Sequence, residues 1–304
     1  MPTIKPDDSS RRLPDFLIIG AQRSGTSWLN KNLRAHPEIW LTPIKELHHF
    51  NADRKTRGRK RQRFVKHLRR RSLRILRQII TLDKRLFSDI AWDAHYFLRK
   101  RTNDWYVGLF RPGPSQIAGE ATPAYGTLSL EKIREVRQVN PDIKLIYIMR
   151  DPIERSWSGA TKDLAKRKNR MLSEVPDDEI YAKLNIKGAM MRSDHLQALD
   201  NWQGIFSADQ FFITFFEDIV KEPEELLLRI YRFLGVTPSK EYISPNVRKK
   251  VNPAGIYKTP IPERFQIHLA KQQIGQLRKL SSRFGGPAIE WLKKAELILE
   301  REGE

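Results

Sequence analysis

A short segment near the beginning of the chain carries residues that could bind an anion. Residues 16–29 read FLIIGAQRSGTSWL, in which Gly20 and Gly25 enclose small and polar residues and one cation, Arg23. A glycine-bounded loop between a strand and a helix gathers unpaired backbone N–H groups and the positive end of the helix dipole in one space. We call residues 20–27 the anion loop and expect it to hold a phosphate-like group.

The anion loop departs from the phosphate loop of nucleoside triphosphate enzymes, in which a lysine and then Ser or Thr follow the second glycine. Ser27 fits that pattern, but Thr26 occupies the lysine position. Because the lysine holds the β and γ phosphates, the loop is poorly suited to ATP chemistry. A P-loop kinase acting on a small molecule is therefore the second enzymatic interpretation. A tight strand-to-helix turn without a ligand is the structural alternative.

A second candidate site follows another apolar run. Residues 145–149 predict a buried strand that ends at Arg150, and Asp151 is a good N-cap for the helix that carries Ser158 two turns later. In open α/β sheets, ligands bind beyond the carboxyl ends of the strands. Arg150 and the anion loop are therefore expected at the same sheet edge. A structural ion pair of Arg150 with a neighbouring carboxylate is the alternative.

The elements that must position these residues alternate between strands and helices. We predict an α/β fold of the P-loop-containing nucleotide-binding type, with a central parallel sheet flanked by helices and with helical insertions. Buried strands are predicted at residues 16–19, 145–149 and 211–216, and helices at 26–35, 130–139, from 152 onward and at 223–234. A single domain over 1–304 would comprise the loop and catalytic segment (14–50), a basic helical insertion (51–118), the rest of the core (119–260) and C-terminal helices (261–304).

Positive charge is the strongest feature of the composition. The chain has 56 Lys and Arg against 36 Asp and Glu, for a formal net charge of +20, and it has no cysteine. Such a field attracts nucleotides, nucleic acid, acidic glycans and anionic membranes without choosing among them. The lack of cysteine excludes disulfides and thiolate chemistry and favours a cytoplasmic location. No stretch approaches the roughly 20 apolar residues of a membrane-spanning helix, so a soluble protein is expected.

The most basic segment runs from Arg54 to Arg77 and has the pattern of an amphipathic helix. It is either a solvated helical insertion or a surface that docks onto an acidic substrate or an anionic membrane. A non-catalytic anion-binding or membrane-associated protein built on this segment would explain the charge. It would not explain two paired anion-binding segments. No specific nucleic-acid contact is expected.

Together the two candidate segments resemble the sulfotransferase family that uses 3′-phosphoadenosine 5′-phosphosulfate (PAPS). The loop from Gly20 to Leu29 resembles the family's 5′-phosphosulfate-binding loop, and Arg150 with Arg155 and Ser158 resembles its 3′-phosphate-binding segment. Residues 215–218 and 233–236 are similar to a further family signature. The runs Glu-Leu-His-His-Phe at 46–50 and Thr-Pro-Ala-Tyr at 122–125 look closest to the branch that includes heparan sulfate sulfotransferases, and a soluble member of bacterial type is expected.

The resemblance implies PAPS as co-substrate, adenosine 3′,5′-bisphosphate (PAP) as product, and no metal. Glu46 matches the family's catalytic base, which takes the proton of an acceptor hydroxyl or amine, and Arg23 and His48 would assist. An ion pair of Glu46 with Lys45, and core packing of His48, are the structural alternatives. The residues expected to bind the nucleotide are Arg23, Ser24, Gly25, Thr26, Ser27, Trp28, Arg150, Ser158 and, in a late loop, Lys249 or Lys250.

Two positions depart from the family pattern. The family's loop usually has a lysine where Arg23 stands, and the branch that acts on acidic glycans has a lysine after Glu120, where this chain has Ala121. The expected acceptor is a hydroxyl on a carbohydrate, a lipid or a small metabolite, with an acidic glycan or a lipid-linked sugar as specific possibilities. Arg54 to Arg77 would supply any peripheral contact with an anionic membrane.

Overall fold

The computed structural model of this protein describes residues 12–52, 85–168, 172–249, 251 and 260–303. Its strands are β1 (Phe16–Gly20), β2 (Ile39–Leu41), β3 (Ile117–Ala121), β4 (Lys144–Met149) and β5 (Phe211–Phe215). Its α-helices are α1 (Thr26–Leu33), α2 (Arg85–Leu98), α3 (Asn103–Val107), α4 (Leu130–Val139), α5 (Pro152–Lys168), α6 (Asp177–Leu184), α7 (Lys187–Met191), α8 (His195–Gln203), α9 (Phe216–Lys221), α10 (Pro223–Leu234), α11 (Glu263–Phe284) and α12 (Pro287–Gly303).

The five strands form one parallel sheet in the order β2-β3-β1-β4-β5. β1 lies in the middle, where Phe16 is in register with Gly119 of β3 and with Lys144 of β4. The predicted parallel α/β sheet is confirmed. Because β1 and β4 are adjacent and point the same way, the segments that follow them emerge side by side at the carboxyl edge of the sheet.

Both faces of the sheet are covered, as the continuous apolar run of β1 predicts. All five residues of β1 are buried. Leu17 and Ile19 belong to one hydrophobic cluster, which includes residues of α5, α8, α11 and α12, whereas Phe16 and Ile18 belong to a second cluster with residues of α1 and α10. The alternation along one strand therefore binds the two helical layers to the sheet.

Two strands differ from the sequence predictions. β3 was not among the predicted strands, because its residues Ile-Ala-Gly-Glu-Ala include a glycine and a carboxylate, both uncommon in strands. β5 was predicted as fully buried, but only Thr214 of its five residues is. The reason is its position at the end of the strand order, where one long side of the strand has no neighbour.

The aromatic segment around α2 and α3 belongs to the protein core. Trp92, Tyr96, Trp105, Tyr106 and Phe110 are all buried. The basic segment from Arg54 to Arg77 lies outside the described residues. Within the described part of the chain, none of the helices is both long enough and apolar enough to cross a membrane.

Candidate active site

The anion loop joins β1 to α1 through backbone conformations that require glycine at one position. Gly25 has φ +87°, and a Cβ atom there would lie 2.3 Å from Cδ1 of Ile219. Arg23 also has a left-handed backbone, with φ +74°. Because α1 begins at Thr26, its first N–H groups border the loop. The local geometry is that of an anion cradle.

The loop hydroxyls differ in their surroundings. Ser24 is fully buried, and its Oγ has no hydrogen-bond partner among the described residues. The side chain of Thr26 is buried as well. Ser27 accepts a hydrogen bond of 2.8 Å from Nζ of Lys45. Buried polar atoms are normally paired, so the unpaired hydroxyl of Ser24 fits a loop that closes around a polar ligand.

The two segments singled out in the sequence meet through their arginines. Arg23 donates from Nε and NH2 to Oγ of Ser158, at 3.0 and 2.9 Å. Arg150 donates from NH1 to the carbonyl of Arg23, at 3.0 Å. The expectation that Arg150 and the anion loop share one sheet edge is confirmed. Burial first, and then the charge of Arg150, lower the pKa of Arg23.

Arg150 is held from several sides. Its NH2 lies 3.4 Å from Oε2 of Glu154, and its guanidinium lies 4.8 Å from the ring centre of Phe216. The neighbouring Asp151 accepts a hydrogen bond from the backbone N–H of Ile153, so the predicted cap of α5 is present. Arg150 therefore forms an ion pair with Glu154 and also contacts the anion loop.

Arg155 does not reach the anion loop. It is only 2% exposed and donates to Oγ of Ser193 and to the carbonyl of Ala189, both far along the chain. Burial is the main reason that its pKa falls to about 10. Arg155 therefore ties α5 to α7 and to the segment that follows α7. The 3′-phosphate segment keeps Arg150 and Ser158 as its candidate contacts.

Glu46 and His48 lie in the loop that follows β2. Oε2 of Glu46 is 3.4 Å from Nε2 of His48, and its Oε1 is 3.8 Å from Nζ of Lys45. The Glu46 side chain is 43% exposed, whereas that of His48 is 11% exposed. Glu46 has φ +65° and His48 has φ +55°. Within the described part of the chain, these two residues and Arg23 are the only non-glycine residues with positive φ, a conformation that often marks functional sites.

A buried carboxylate supports the loop that carries Glu46. Glu120 of β3 is completely buried and accepts hydrogen bonds from the hydroxyls of Tyr106, Tyr125 and Thr122, at 2.7, 3.0 and 2.7 Å. Burial raises the pKa of Glu120. The hydroxyl of Tyr125 also accepts a 2.9 Å hydrogen bond from the backbone N–H of His49. The network therefore connects the middle of the sheet to the Glu46 loop.

The remaining predicted residues have different surroundings. Trp28 is buried and donates from Nε1 to the carbonyl of Val247, so its ring connects α1 to the late loop. Lys249 is exposed two residues after that contact, and Lys250 lies outside the described residues. Lys45, which bridges Ser27 and Glu46, was considered in the sequence only as a partner for Glu46. The signal in the sequence was a lysine directly before the candidate base.

No group of three or more His, Asp or Glu side chains suited to a metal ion occurs among the residues that the structure describes. The protein is thus an α/β protein of the P-loop-containing class, with two candidate anion-binding segments side by side at the carboxyl edge of its sheet. A family model described as the sulfotransferase family matches residues 14–240. The chain belongs to the sulfotransferase family.

Known proteins agree with this membership. The heparan sulfate glucosamine 3-O-sulfotransferase 3A1 of Homo sapiens is 25% identical over 241 residues, which are 76% of this chain and 46% of the relative. The heparan sulfate glucosamine 3-O-sulfotransferase 6 of Mus musculus is 26% identical over 237 residues, which are 74% of this chain and 53% of the relative. The chain therefore spans about half the length of these curated relatives.

A solved structure supports the fold. The sulfotransferase from Alicyclobacillus acidocaldarius superposes with a TM-score of 0.54 and 19% sequence identity, and the match covers 95% of this chain and 96% of that one. A likeness at this identity concerns the arrangement of strands and helices alone. It agrees with the parallel sheet and the P-loop-containing class described above.

Proposed function

We propose that this protein is a sulfotransferase that moves a sulfuryl group from PAPS to an acceptor hydroxyl. The observation that carries the proposal is the contact of Arg23 with Ser158 and of Arg150 with the Arg23 carbonyl. These contacts bring two cationic segments together, as a nucleotide with a phosphate at each end requires. Membership of the sulfotransferase family itself implies PAPS as the sulfate donor.

The chain's own residues fit this donor. The anion loop offers the first N–H groups of α1, the guanidinium of Arg23 and the unpaired hydroxyl of Ser24, and its backbone tolerates no Cβ at position 25. Ser158 and Arg150 would hold the 3′-phosphate, and the anion loop would hold the 5′ end. When bound, PAPS supplies a sulfuryl group attached to a phosphate that leaves with the S–O bonding electrons. Fixed donors aimed at that phosphate stabilise the charge that develops on it.

Glu46 acts as the general base in this proposal. Its carboxylate is exposed enough to meet an acceptor, and it takes the proton of the acceptor hydroxyl as the oxygen forms its bond to sulfur. Nδ1 of His48 lies 3.1 Å from Oδ1 of Asn51 and donates to it, which leaves Nε2 free to accept a hydrogen bond from protonated Glu46. Both residues have a left-handed backbone, and their side chains lie 3.4 Å apart.

The names of the curated relatives favour a glycan hydroxyl as the acceptor. The net charge of +20 suits an acidic chain such as heparan sulfate. Ala121 follows Glu120, where the resemblance would place a lysine in enzymes for acidic glycans, so this chain lacks that cation. We therefore propose a glycan acceptor and leave its sulfation pattern to experiment.

Ligand binding and transfer assays test the proposal in two stages. Calorimetry should show binding of PAP and no binding of ATP with Mg²⁺, and PAP should raise the melting temperature. Radiolabelled sulfate from PAPS should then enter heparan sulfate or a neutral oligosaccharide in preference to a simple phenol or a glycolipid. Binding of ATP with Mg²⁺ but not of PAP would favour a kinase, and stabilisation by heparin alone would favour a binding protein without catalysis.

A further inference from the structure

Residue 26 of the anion loop supplies no positive charge near the start of α1, although phosphate loops of nucleoside triphosphate enzymes have a lysine at the corresponding position. Thr26 occupies that position, and its buried side chain is uncharged. Arg23 is the only cation within residues 20–27, and both donors that it directs at Ser158 point to the 3′-phosphate segment. The α1 end of the loop therefore has hydroxyls and N–H groups but no charged side chain from the loop itself.

Lys45 brings a charge to this end from a different element. It lies four residues after β2, and its Nζ is 2.8 Å from Oγ of Ser27, the second residue of α1. The same Nζ is 3.8 Å from Oε1 of Glu46. The Lys45 ammonium group thus lies between the anion loop and the proposed base.

The surroundings of Lys45 hold it in place. Its side chain is 23% exposed, and the loop behind it is anchored by a 3.0 Å hydrogen bond from the backbone N–H of Glu46 to the carbonyl of Ala121. Burial lowers the pKa of Lys45, the charge of Glu46 opposes this, and the charge of Lys162 lowers it further. An ammonium group with a lowered pKa is a stronger hydrogen-bond donor. Because Lys45 is partly buried, its ammonium group has also lost part of its hydration shell.

We propose that Lys45 is a catalytic residue that supplies a charged donor at the α1 end of the anion loop. This inference rests on the proposed sulfotransferase function. Attack of the acceptor oxygen forms one S–O bond, and the S–O bond to the 5′-phosphate breaks with its electron pair staying on the phosphate oxygen. The acceptor proton goes to Glu46, and the ammonium of Lys45, now directed from Ser27 to the leaving phosphate, neutralises the charge left there.

Two ligands separate a contact with the 5′-phosphate from a general structural role. PAP carries both phosphates, whereas adenosine 3′-monophosphate lacks the one that Lys45 should contact. Lys45→Met should weaken PAP about tenfold or more, because a charge-assisted hydrogen bond is lost. The same variant should bind adenosine 3′-monophosphate as the unaltered protein does. Turnover at saturating PAPS should fall about a hundredfold or more.

Further variants keep the test decisive. Lys45→Arg retains the charge and should recover part of the PAP affinity, and Lys45→Gln serves if the Met variant does not fold. Lys31→Met is the matched control, because Lys31 is an exposed lysine in the last turn of α1, the helix that carries Ser27. This change should leave PAP affinity and turnover within about twofold of those of the unaltered protein.

Three results would overturn the inference. Unchanged PAP affinity with unchanged turnover would show that Lys45 contacts nothing in the reaction. Equal weakening of both nucleotides, or an equal loss in the Lys31→Met control, would assign the effect to folding or to overall charge. In each case the unaltered protein still binds PAP, so the proposed function stands. Failure of the unaltered protein to bind PAP would instead remove the proposed function, and the inference with it.

Discussion

Arg23 and Ser158 are 135 residues apart in the chain, yet Nε and NH2 of Arg23 both donate to Oγ of Ser158, at 3.0 and 2.9 Å. The contact joins the loop after β1 to the second turn of α5. Both groups belong to the proposed nucleotide site, one from each phosphate segment. Binding of a nucleotide with two phosphates should therefore depend on Arg23 and Ser158 as a coupled pair.

Removal of the Ser158 hydroxyl should weaken PAP. We expect Ser158→Ala to lower PAP affinity about tenfold or more, since a hydrogen bond to a charged group contributes about 1.5 kcal/mol or more. Calorimetry on Arg23→Ala, Ser158→Ala and the double variant should give a coupling energy of about 1 kcal/mol. Ser282→Ala, at an exposed serine of α11, is the matched control. Strict additivity of the two single changes would show that Arg23 and Ser158 bind independently.

Replacement of the proposed base should separate chemistry from binding. Glu46→Gln keeps the shape of the side chain but cannot accept the acceptor proton, so turnover should fall about 10²- to 10⁴-fold. PAP affinity should stay within about twofold, because Glu46 carries no donor toward the nucleotide in this proposal. Sulfate transfer and calorimetry measure the two effects, and Glu131→Gln, at an exposed position of α4, is the control. Wild-type turnover in Glu46→Gln would assign Glu46 a structural role.

A methyl group at Gly25 should disturb the anion loop. Gly25→Ala places a Cβ 2.3 Å from Ile219 Cδ1 at φ +87°, so we expect a loss of about 1–3 kcal/mol in the free energy of unfolding and at least tenfold weaker PAP binding. Gly275→Ala in α11 is a control with the same chemical change, because nothing lies within 4 Å of its added Cβ. Alanine should stabilise that helix by up to about 1 kcal/mol. Equal effects of the two changes would contradict the strained geometry at Gly25.

Stability should depend on pH through a buried histidine beneath Arg150. Nε2 of His195 must donate to the carbonyl of Arg150, at 2.8 Å, because a carbonyl only accepts, and Nδ1 then accepts from the hydroxyl of Tyr147, at 2.9 Å. Burial is the main cause that lowers the pKa of His195 from 6.5 to about 4. The neutral ring is therefore the form that the folded state favours.

The sign of this effect follows from proton linkage. A group whose pKa is lowered in the folded state contributes stability at pH values above its unfolded-state pKa. This stability is lost as the pH falls toward the folded-state pKa. Asp151 acts oppositely, since burial raises its pKa from 3.8 to about 6 and stability then falls as the pH rises through that range. The two effects oppose each other over much of the same pH range. The pH dependence of the unaltered protein's unfolding free energy therefore shows neither effect separately.

Replacement of His195 should isolate its contribution to the pH dependence of the unfolding free energy. Between about pH 6.5 and pH 4, the unfolding free energy of the unaltered protein minus that of His195→Gln should shrink by about 3 kcal/mol. Urea unfolding across this range measures the difference, and His268→Gln, at a partly exposed residue of α11 whose pKa burial also lowers, should give a smaller change with pH. A difference that does not change with pH would show that His195 does not titrate in the folded state.

Much of the site could be predicted because its signals are local. The apolar run of β1, the glycine at position 25 and the helix start at Thr26 are neighbours in sequence, and steric limits on φ together with helix geometry act over such short distances. The strand that ends at Arg150 and the cap of α5 at Asp151 are local for the same reason. The adjacency of the two segments followed from the edge rule for parallel sheets.

β3 and the side-chain directions needed the tertiary structure. Glu120 in a buried strand contradicts strand propensity, and only the hydroxyls of Tyr106, Tyr125 and Thr122 make its burial tolerable. The pattern around Arg155 could not show that its guanidinium points to Ser193 and not to the nucleotide segment. Such preferences depend on partners that are distant in the chain.

The sequence by itself therefore determined the class of the fold and the anion loop, because short-range geometry and residue chemistry specify them, whereas the candidate base came from the resemblance to the family. Only the tertiary structure decided that Lys45 meets Ser27, that Arg23 turns to Ser158, and that a buried carboxylate supports the loop of Glu46. These contacts join elements that the sheet brings together. Their geometry is a property of packing, which no stretch of residues encodes alone.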